Sequence, residues 1–432
     1  MKDPLFEPIR INRLTLKNRI YLPAMHLGMC EEFLVNDRLV AFYAERAKGG
    51  AGMIVVGNAT VDECSGNSQY IGAHLDAHLP GLTRLAAAIH ENGAHSAVQL
   101  NHAGRYCHSV FLDGRAPVAP SAIASSLTGE VPEALTLEGI RSVVASFADA
   151  AARVKKAGFS AVEVLSGTGY LISEFLSPLT NTRDDAYGGP LENRMRLGLE
   201  IMGAIRQRVG ADYPLLVRMD NHDFMEGGMP REELETYAQR LVSAGVDALC
   251  IKGGWHEART PQLTPNVPRG VYGYLARNVK ERVSVPVIAS HRINDPAIAR
   301  ELIGEGWCDM VAMGRSLIAD PFLPEKARTG REREIVHCIA CAQGCFDHLF
   351  QLKHVECLCN PRAGHEEETR LVKSPAPKKV MIIGGGAAGM TAALAAHEKG
   401  HQVTLYEKAM RLGGQLHLAA APPRPPGVSR AG

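Results

Sequence analysis

Between residues 19 and 315 the chain repeats one pattern eight times: a short apolar run, then a longer stretch that is in most cases amphipathic. The runs occupy 19–25, 51–61, 96–102, 161–166, 215–220, 248–253, 286–290 and 309–313, and helical patterning follows most of them, as at 191–209 and 231–244. Strands that read as continuous apolar runs are covered on both faces, and a parallel sheet with crossover helices provides that cover. Eight such units over roughly 300 residues suit a closed (β/α)₈ TIM barrel better than an open sheet. The barrel is expected over 1–330, with long connections such as 103–133 forming walls or a lid.

In such barrels chemistry gathers at the C-terminal ends of the strands. Met25, Gly57, Gln99, Asp220, the stretches 167–170 and 253–256, Arg292, Gly314 and Arg315 fall there. Arg292 closes the seventh run and Arg315 the eighth, where barrel enzymes often hold a phosphate. A guanidinium offers several donors fixed in a plane, which suits a phosphate monoester, although either arginine alone also suits an ion pair. Gln99 on the third run can meet the edge of a pyrimidine-like ring, and Arg218 on the fifth can place positive charge beside a reduced flavin. Both also read as satisfied core polar residues. Tyr170 and His256 are the acid candidates. A phenol keeps its proton near neutrality and can pass it to a developing carbanion, and an imidazole can do the same or hold a carbonyl oxygen. Either could instead be structural.

Beyond the barrel, the cysteines read Cys338-x2-Cys341-x3-Cys345-x11-Cys357, with Cys359 spare and able to compete for the fourth position. Three thiolates in one tight loop with a fourth returning later suit a cubane iron–sulfur cluster, whereas structural zinc usually shows two separated Cys-x2-Cys pairs. The cluster segment is expected over 331–370, with a charged, then proline-bearing linker at 365–379. Residues 376–418 read as strand, glycine turn, helix and strand. The turn is Gly384-x-Gly386-x-x-Gly389, and Glu407 follows eighteen residues after Gly389. This is a dinucleotide fingerprint, with pyrophosphate at the helix N-terminus and the acid on a ribose. Residues 419–432, rich in Pro and Gly, are expected to be a disordered tail.

Composition removes several alternatives. Lys plus Arg is 47 and Asp plus Glu is 46, which gives no electrostatic case for nucleic acid or an anionic membrane. Asp3, Pro4, Glu7 and Pro8 interrupt any signal-peptide core, and no stretch suits a membrane span. Half of the ten cysteines cluster within 338–359, which favours metal ligation in a reducing, cytoplasmic setting over a disulfide scaffold.

Together with Asn18-Arg19, Gln99-Leu-Asn-His-Ala-Gly-Arg105, Tyr187-Gly-Gly189, Glu192-Asn-Arg194, Gly254-Trp-His-Glu-Ala-Arg259 and Asn360-Pro-Arg-Ala363, these features resemble the multidomain branch of the Old Yellow Enzyme family. The resemblance runs from Leu5 to about Leu418 and is strongest to the bacterial 2,4-dienoyl-CoA reductases. It implies FMN contacts at Ala24, Met25, Gly57, Gln99, Arg218, Arg292, Gly314 and Arg315, and proton donation by Tyr170 with His256 beside the substrate. It implies substrate contacts at Leu179, Thr180, Asn181 and Thr182, and 4Fe-4S ligands at Cys338, Cys341, Cys345 and Cys357. FAD contacts would be Gly384, Gly386, Gly389, Glu407 and Gln415. The implied activity is reduction of an activated C=C bond, in a dienoyl-CoA or a related 2-enoate or enone, with electrons from NAD(P)H through FAD and the cluster.

This sequence departs from the family pattern in four places. Thr168 stands where the dienoyl-CoA reductases carry an acid, and 166–170 lacks the His/His or His/Asn pair of the small family members. Met25 holds the place where the amine dehydrogenase attaches its flavin through cysteine, and Cys30 comes five residues later, so the FMN is expected to be non-covalent. After Gln415 the family continues into the rest of an FAD domain, so the FAD site within this sequence is expected to be incomplete, and a chain product without NAD(P)H-linked activity is the alternative.

Overall fold

A computed structural model describes residues 2–421. Its centre is a closed parallel barrel of eight strands: β1 (Ile20–Leu22), β2 (Met53–Thr60), β3 (His95–Asn101), β4 (Ala161–Ser166), β5 (Leu215–Asp220), β6 (Ala248–Lys252), β7 (Val287–Ala289) and β8 (Met310–Ala312). Each strand pairs with its sequence neighbour, and β8 pairs with β1 to close the ring. All eight apolar runs became these strands. The helix expected over 191–209 breaks at Met195 into Leu191–Arg194 and Arg196–Val209.

Alternation along the strands sorts their side chains into two cores. Met53, Val55, Ala97, Ala161, Leu216, Ala248, Cys250, Ile288 and Met310 pack together inside the barrel with Ile11 and Leu16 of an N-terminal hairpin. The alternate residues, among them Ile54, Val56, Val98, Val162, Val164 and Val217, pack outward against the helices. The outer layer includes α1 (Asp37–Lys48), α2 (Leu79–Glu91), α3 (Leu137–Lys156), α4 (Arg196–Val209) and α5 (Arg231–Ser243). Caps fix where some of these helices begin: Asn36 accepts from Leu39 N at 3.0 Å, and Thr136 from Gly139 N at 3.0 Å.

The cysteine-bearing segment is fastened to α1 by three arginines. Arg46, fully buried, pairs with Glu366 at 2.6 Å. Arg362 forks onto Glu45 at 2.9 and 2.8 Å, and Arg38 reaches Glu368 at 2.7 Å. The linker expected from residue 365 therefore begins later, because Glu366 belongs to the packed segment.

After it come β9 (Lys379–Ile383), α6 (Ala387–Glu398) and β10 (Gln402–Tyr406), with β9 and β10 parallel. A Cβ on Gly389 would lie 1.9 Å from the Gly384 carbonyl oxygen, so the close approach of helix and turn requires glycine there. No residue of α6 is buried, and Met381, Ile383 and Tyr406 are exposed. Of the tail expected over 419–432, residue 419 ends a short helix, Leu416–Ala419, and 422–432 lie outside the described residues. No helix among the described residues is long and apolar enough to cross a membrane.

Candidate active site

The C-terminal mouth of the barrel brings together most of the residues singled out from sequence. At the β7–β8 side stand Arg292, buried, and Arg315, half-buried. Arg292 is held by Val267 O at 3.0 Å and Arg315 by Leu263 O at 2.8 Å. Among the described residues neither forms an ion pair. Burial, with Arg315 adding to it, lowers the pKa of Arg292. Two neighbouring guanidiniums without a carboxylate leave charge for an anion to neutralise. His291 and Arg292 both adopt left-handed backbone, with φ of 74° and 56°, a conformation that costs energy for side-chain-bearing residues and clusters at functional sites.

Arg218 crosses the interior to donate to Ala24 O at 2.8 Å, while its Nε is buried without a partner. Gln99 is buried and donates to Glu163 Oε1 at 2.6 Å, and the Tyr21 hydroxyl donates to the other carboxylate oxygen. Part of the Gln99 amide is thus absorbed by the barrel core. The sequence reading missed Glu163 and Tyr21, since two groups joined across 142 positions leave no local signature.

Tyr170 and His256 meet on the far side. The phenol oxygen and His256 Nε2 are 3.1 Å apart, and Tyr106 packs edge-on to both rings. The turns carrying them share a scaffold. Asp220 accepts from Thr168 N at 2.6 Å and from Lys252 Nζ at 2.7 Å, Lys252 also donates to Gly254 O at 3.0 Å, and His256 N donates to Thr168 O at 3.3 Å. A buried ion pair therefore anchors both turns. Glu257 adds a clamp: it accepts from Tyr106 Oη at 2.8 Å, from Arg105, and from Ser126 N and Oγ at 2.8 and 2.7 Å. It fastens the 103–133 connection to the turn that carries His256. Both Arg105 and Glu257 belong to the sequence motifs, but only folding shows that they face each other.

Burial pushes the Tyr170 phenol up to about 12, against the pull of Asn58, Arg218 and Tyr70. His256 lies deep in the mouth yet open to solvent; desolvation, with Lys252 adding to it, brings its imidazole down to about 4. At neutral pH the pair is a protonated phenol and a neutral imidazole.

The stretch at 179–182 borders the same region unevenly. Thr180 Oγ1 donates to Glu174 O at 2.7 Å, and Asn181 Nδ2 donates to Phe175 O and Tyr187 O at 2.6 and 2.7 Å. These two side chains build the turn. Leu179 is half-buried and Thr182 exposed.

Next to the barrel, Cys338, Cys341, Cys345, Cys357 and Cys359 line one cavity, together with Arg315 and Ile318. None is in a disulfide. The Cys359 thiol leans on Cys357, which lowers the pKa of Cys357 and raises that of Cys359. Arg315 thus borders both the barrel mouth and the thiols.

In the C-terminal unit Gly384 takes φ of 102°, and a Cβ on Gly386 would meet open space. The Glu407 carboxylate accepts from Gly385 N at 2.6 Å and Ala409 N at 2.8 Å, which lowers its pKa. It holds the glycine turn to the strand end. Gln415 is exposed before the last short helix.

A closed parallel barrel with two arginines free of carboxylates at β7–β8 and a phenol–imidazole pair across its mouth is of the (β/α)₈ class. Residues 4–334 match the NADH:flavin oxidoreductase / NADH oxidase family, and 379–422 match an FAD binding domain. The chain belongs to the NADH:flavin oxidoreductase / NADH oxidase family. It is 49% identical over 419 residues to a metal reductase of Desulforamulus reducens, covering 97% of this chain and 63% of the relative. It is 42% identical over 425 residues to an NADH oxidase of Thermoanaerobacter brockii, covering 97% and 65%. Among solved structures, a 2-naphthoyl-CoA reductase in complex with 2-naphthoyl-CoA matches with a TM-score of 0.93 at 36% identity, over 97% of this chain and 66% of that one. The chain spans somewhat under two thirds of the length of these two curated relatives.

Proposed function

We propose that the chain is the catalytic part of an FMN-dependent reductase of activated C=C bonds, acting on an enoyl substrate such as a CoA thioester. The observation that carries this reading is the Tyr170–His256 pair, a protonated phenol opposite the arginine anion site in one barrel mouth. The likeness to a naphthoyl-CoA reductase supports the substrate class.

The residues fit FMN. Arg292 and Arg315 offer unpaired charge to a phosphate monoester, Arg218 leaves its Nε without an acceptor while its Nη1 holds Ala24 O, and Met25, Gly57 and Gly314 are proposed as further flavin contacts. When bound, FMN supplies hydride from its N5 to the electrophilic carbon of the alkene. Tyr170 holds a proton at its phenol oxygen and releases it to the neighbouring carbon. His256 fixes the hydroxyl and can accept its hydrogen bond. Asp220 and Lys252 keep both turns in register, and the Glu257 clamp ties the 103–133 wall to the turn that carries His256. Leu179 and Thr182 are proposed to line the substrate side, with Thr180 and Asn181 shaping the turn.

The thiol-lined cavity fits a 4Fe-4S cluster through Cys338, Cys341, Cys345 and Cys357, which would carry single electrons. Electrons are proposed to originate from NAD(P)H and to reach the cluster through FAD at Gly384, Gly386, Gly389, Glu407 and Gln415. Anaerobic purification is expected to give about one flavin mononucleotide and about four iron per chain. Cys345→Ser should bleach the cluster absorbance and Cys359→Ser should leave it; zinc in place of iron, or loss on Cys359→Ser, would contradict this ligand set.

Because His256 is neutral above about 4 and Tyr170 protonated below about 12, neither changes charge in between. The rate of alkene reduction by pre-reduced protein is therefore expected to be flat between about pH 5 and pH 10. A sigmoid with a midpoint near neutrality would assign the proton to another group.

A second reading, one-electron delivery to a metal ion, is favoured by the likeness to a metal reductase. It requires no proton donor, so variants of Tyr170 separate the two.

A further inference from the structure

Outside the barrel mouth and the thiol cavity, one group of side chains among the described residues has the make-up of a binding site. His354, Glu356 and His365 converge where the cysteine segment packs on α1, and their ligating atoms all lie within 4.8 Å of one another. We infer that His354, Glu356 and His365 bind one first-row divalent cation, of which Zn²⁺ is the fitting example, at a site separate from the cysteines.

The spacing supports this. His365 Nε2 is 3.0 Å and His354 Nε2 3.5 Å from Glu356 Oε1. A tetrahedral ion with bonds of about 2.0–2.2 Å to nitrogen and oxygen sets its ligands roughly 3.3–3.5 Å apart. Small side-chain movements would admit the ion. His348 Nδ1 lies 4.0 Å from Glu356 Oε2 but is engaged with His354 O at 3.2 Å, so water is the fitting fourth ligand. Imidazole and carboxylate suit zinc and its neighbours.

The surroundings support it independently. A ligating histidine usually gives its second ring N–H to a carboxylate, which fixes the ring. His365 does so: its Nδ1 is 3.1 Å from Glu368 Oε2, while its Nε2 faces Glu356. The Glu356 main chain packs on Gly344 at the edge of the thiol cavity, and its carboxylate turns to the histidines. An ion here would clasp residues 354 and 356 to residue 365, on either side of Cys357 and Cys359.

One group opposes the ion. Arg38 Nη1 donates to His354 Nε2 at 2.8 Å, and Nη2 donates to Glu368 at 2.7 Å. The guanidinium occupies the lone pair that a cation needs, so binding must turn Arg38 away. Removing it should tighten binding, an effect that a damaged fold cannot mimic.

The test uses the full chain, purified anaerobically with its cysteine site loaded and then stripped of loosely held metal. Zn²⁺ is titrated by calorimetry, and the bound ion is examined by X-ray absorption at the zinc edge. One Zn²⁺ per chain is expected with only nitrogen and oxygen neighbours, at about 2.0–2.1 Å. His365→Gln and Glu356→Gln should each weaken binding at least about tenfold, and Arg38→Gln should strengthen it by a similar factor. Sulfur neighbours at about 2.3 Å would show the ion to be on the cysteines. That result, no binding, or affinity unmoved by His365→Gln or by Arg38→Gln would overturn the inference.

Discussion

Tyr170→Phe is expected to slow reduction of an enoyl substrate by about 10²–10⁴-fold while leaving flavin content unchanged. The phenol oxygen is the group that His256 Nε2 holds at 3.1 Å, and Phe keeps the ring that packs against Tyr106 while deleting only that oxygen. The arginines that would hold the flavin phosphate stand at β7 and β8, so flavin loading has no reason to change. The variant should also still pass electrons to a soluble ferric chelate, because that step requires no proton from the protein. His256→Ala should give a smaller loss of turnover, with more of it in substrate binding if the imidazole holds the carbonyl. Full alkene turnover in Tyr170→Phe would move the donor role to His256 or to water. Equal loss with both acceptors would mean that the substitution had damaged the site as a whole.

Glu366→Leu is expected to destabilise the docking of the cysteine segment by about 3–5 kcal/mol, the usual consequence of stranding one member of a buried ion pair. Arg46 is fully buried; it donates to Glu366, to Phe42 O at 2.7 Å and to Leu317 O at 3.0 Å, and its Nη2 already lacks a partner. Removing the carboxylate leaves a charge with only neutral acceptors. Chemical denaturation followed by cluster absorbance, with limited proteolysis between residues 336 and 376, would read the loss. The double variant Arg46→Met/Glu366→Leu should recover much of it, since an apolar pair of similar volume has no charge to strand. A single variant as stable as the parent chain would mean that Arg362–Glu45 and Arg38–Glu368 hold the segment without it.

The fold was legible because its signal is local. Each barrel strand is an apolar run bounded by turn residues, and the eight runs landed on the eight strands with ends shifted by at most three residues. The glycine turn was legible for the same reason, since Gly384, Gly386 and Gly389 sit within six positions. Individual candidates such as Tyr170, His256, Arg292 and Arg315 could be chosen because strand ends are where a barrel does its chemistry. Their supports could not. Asp220 meets Lys252 only when β5 and β6 pair, and Glu257 meets Ser126 across 131 positions. Arg46 and Glu366 are 320 positions apart, so the charged run after 365 read as a solvated linker although one of its members is buried. The turn at 180–181 was invisible too, because hydrogen bonds from Thr and Asn side chains to main-chain oxygens leave no mark in a sequence pattern.

The central claim, a reduced flavin and a phenol acting on one alkene, is tested most directly by a single-turnover experiment. Flavin-loaded chain, reduced anaerobically with dithionite and freed of excess reductant, is mixed with an enoyl-CoA in heavy water. Flavin absorbance is followed, and the product is examined by mass spectrometry. The account predicts that flavin absorbance returns as alkene is consumed. The product should carry a solvent deuteron on the carbon next to the thioester carbonyl, with a second on the adjacent carbon to the extent that the flavin N5 hydrogen has exchanged, and Tyr170→Phe should slow its formation. Flavin that stays reduced in the presence of the enoyl-CoA, but is promptly reoxidised by a ferric chelate, would contradict the account and leave one-electron metal reduction as the function of this barrel.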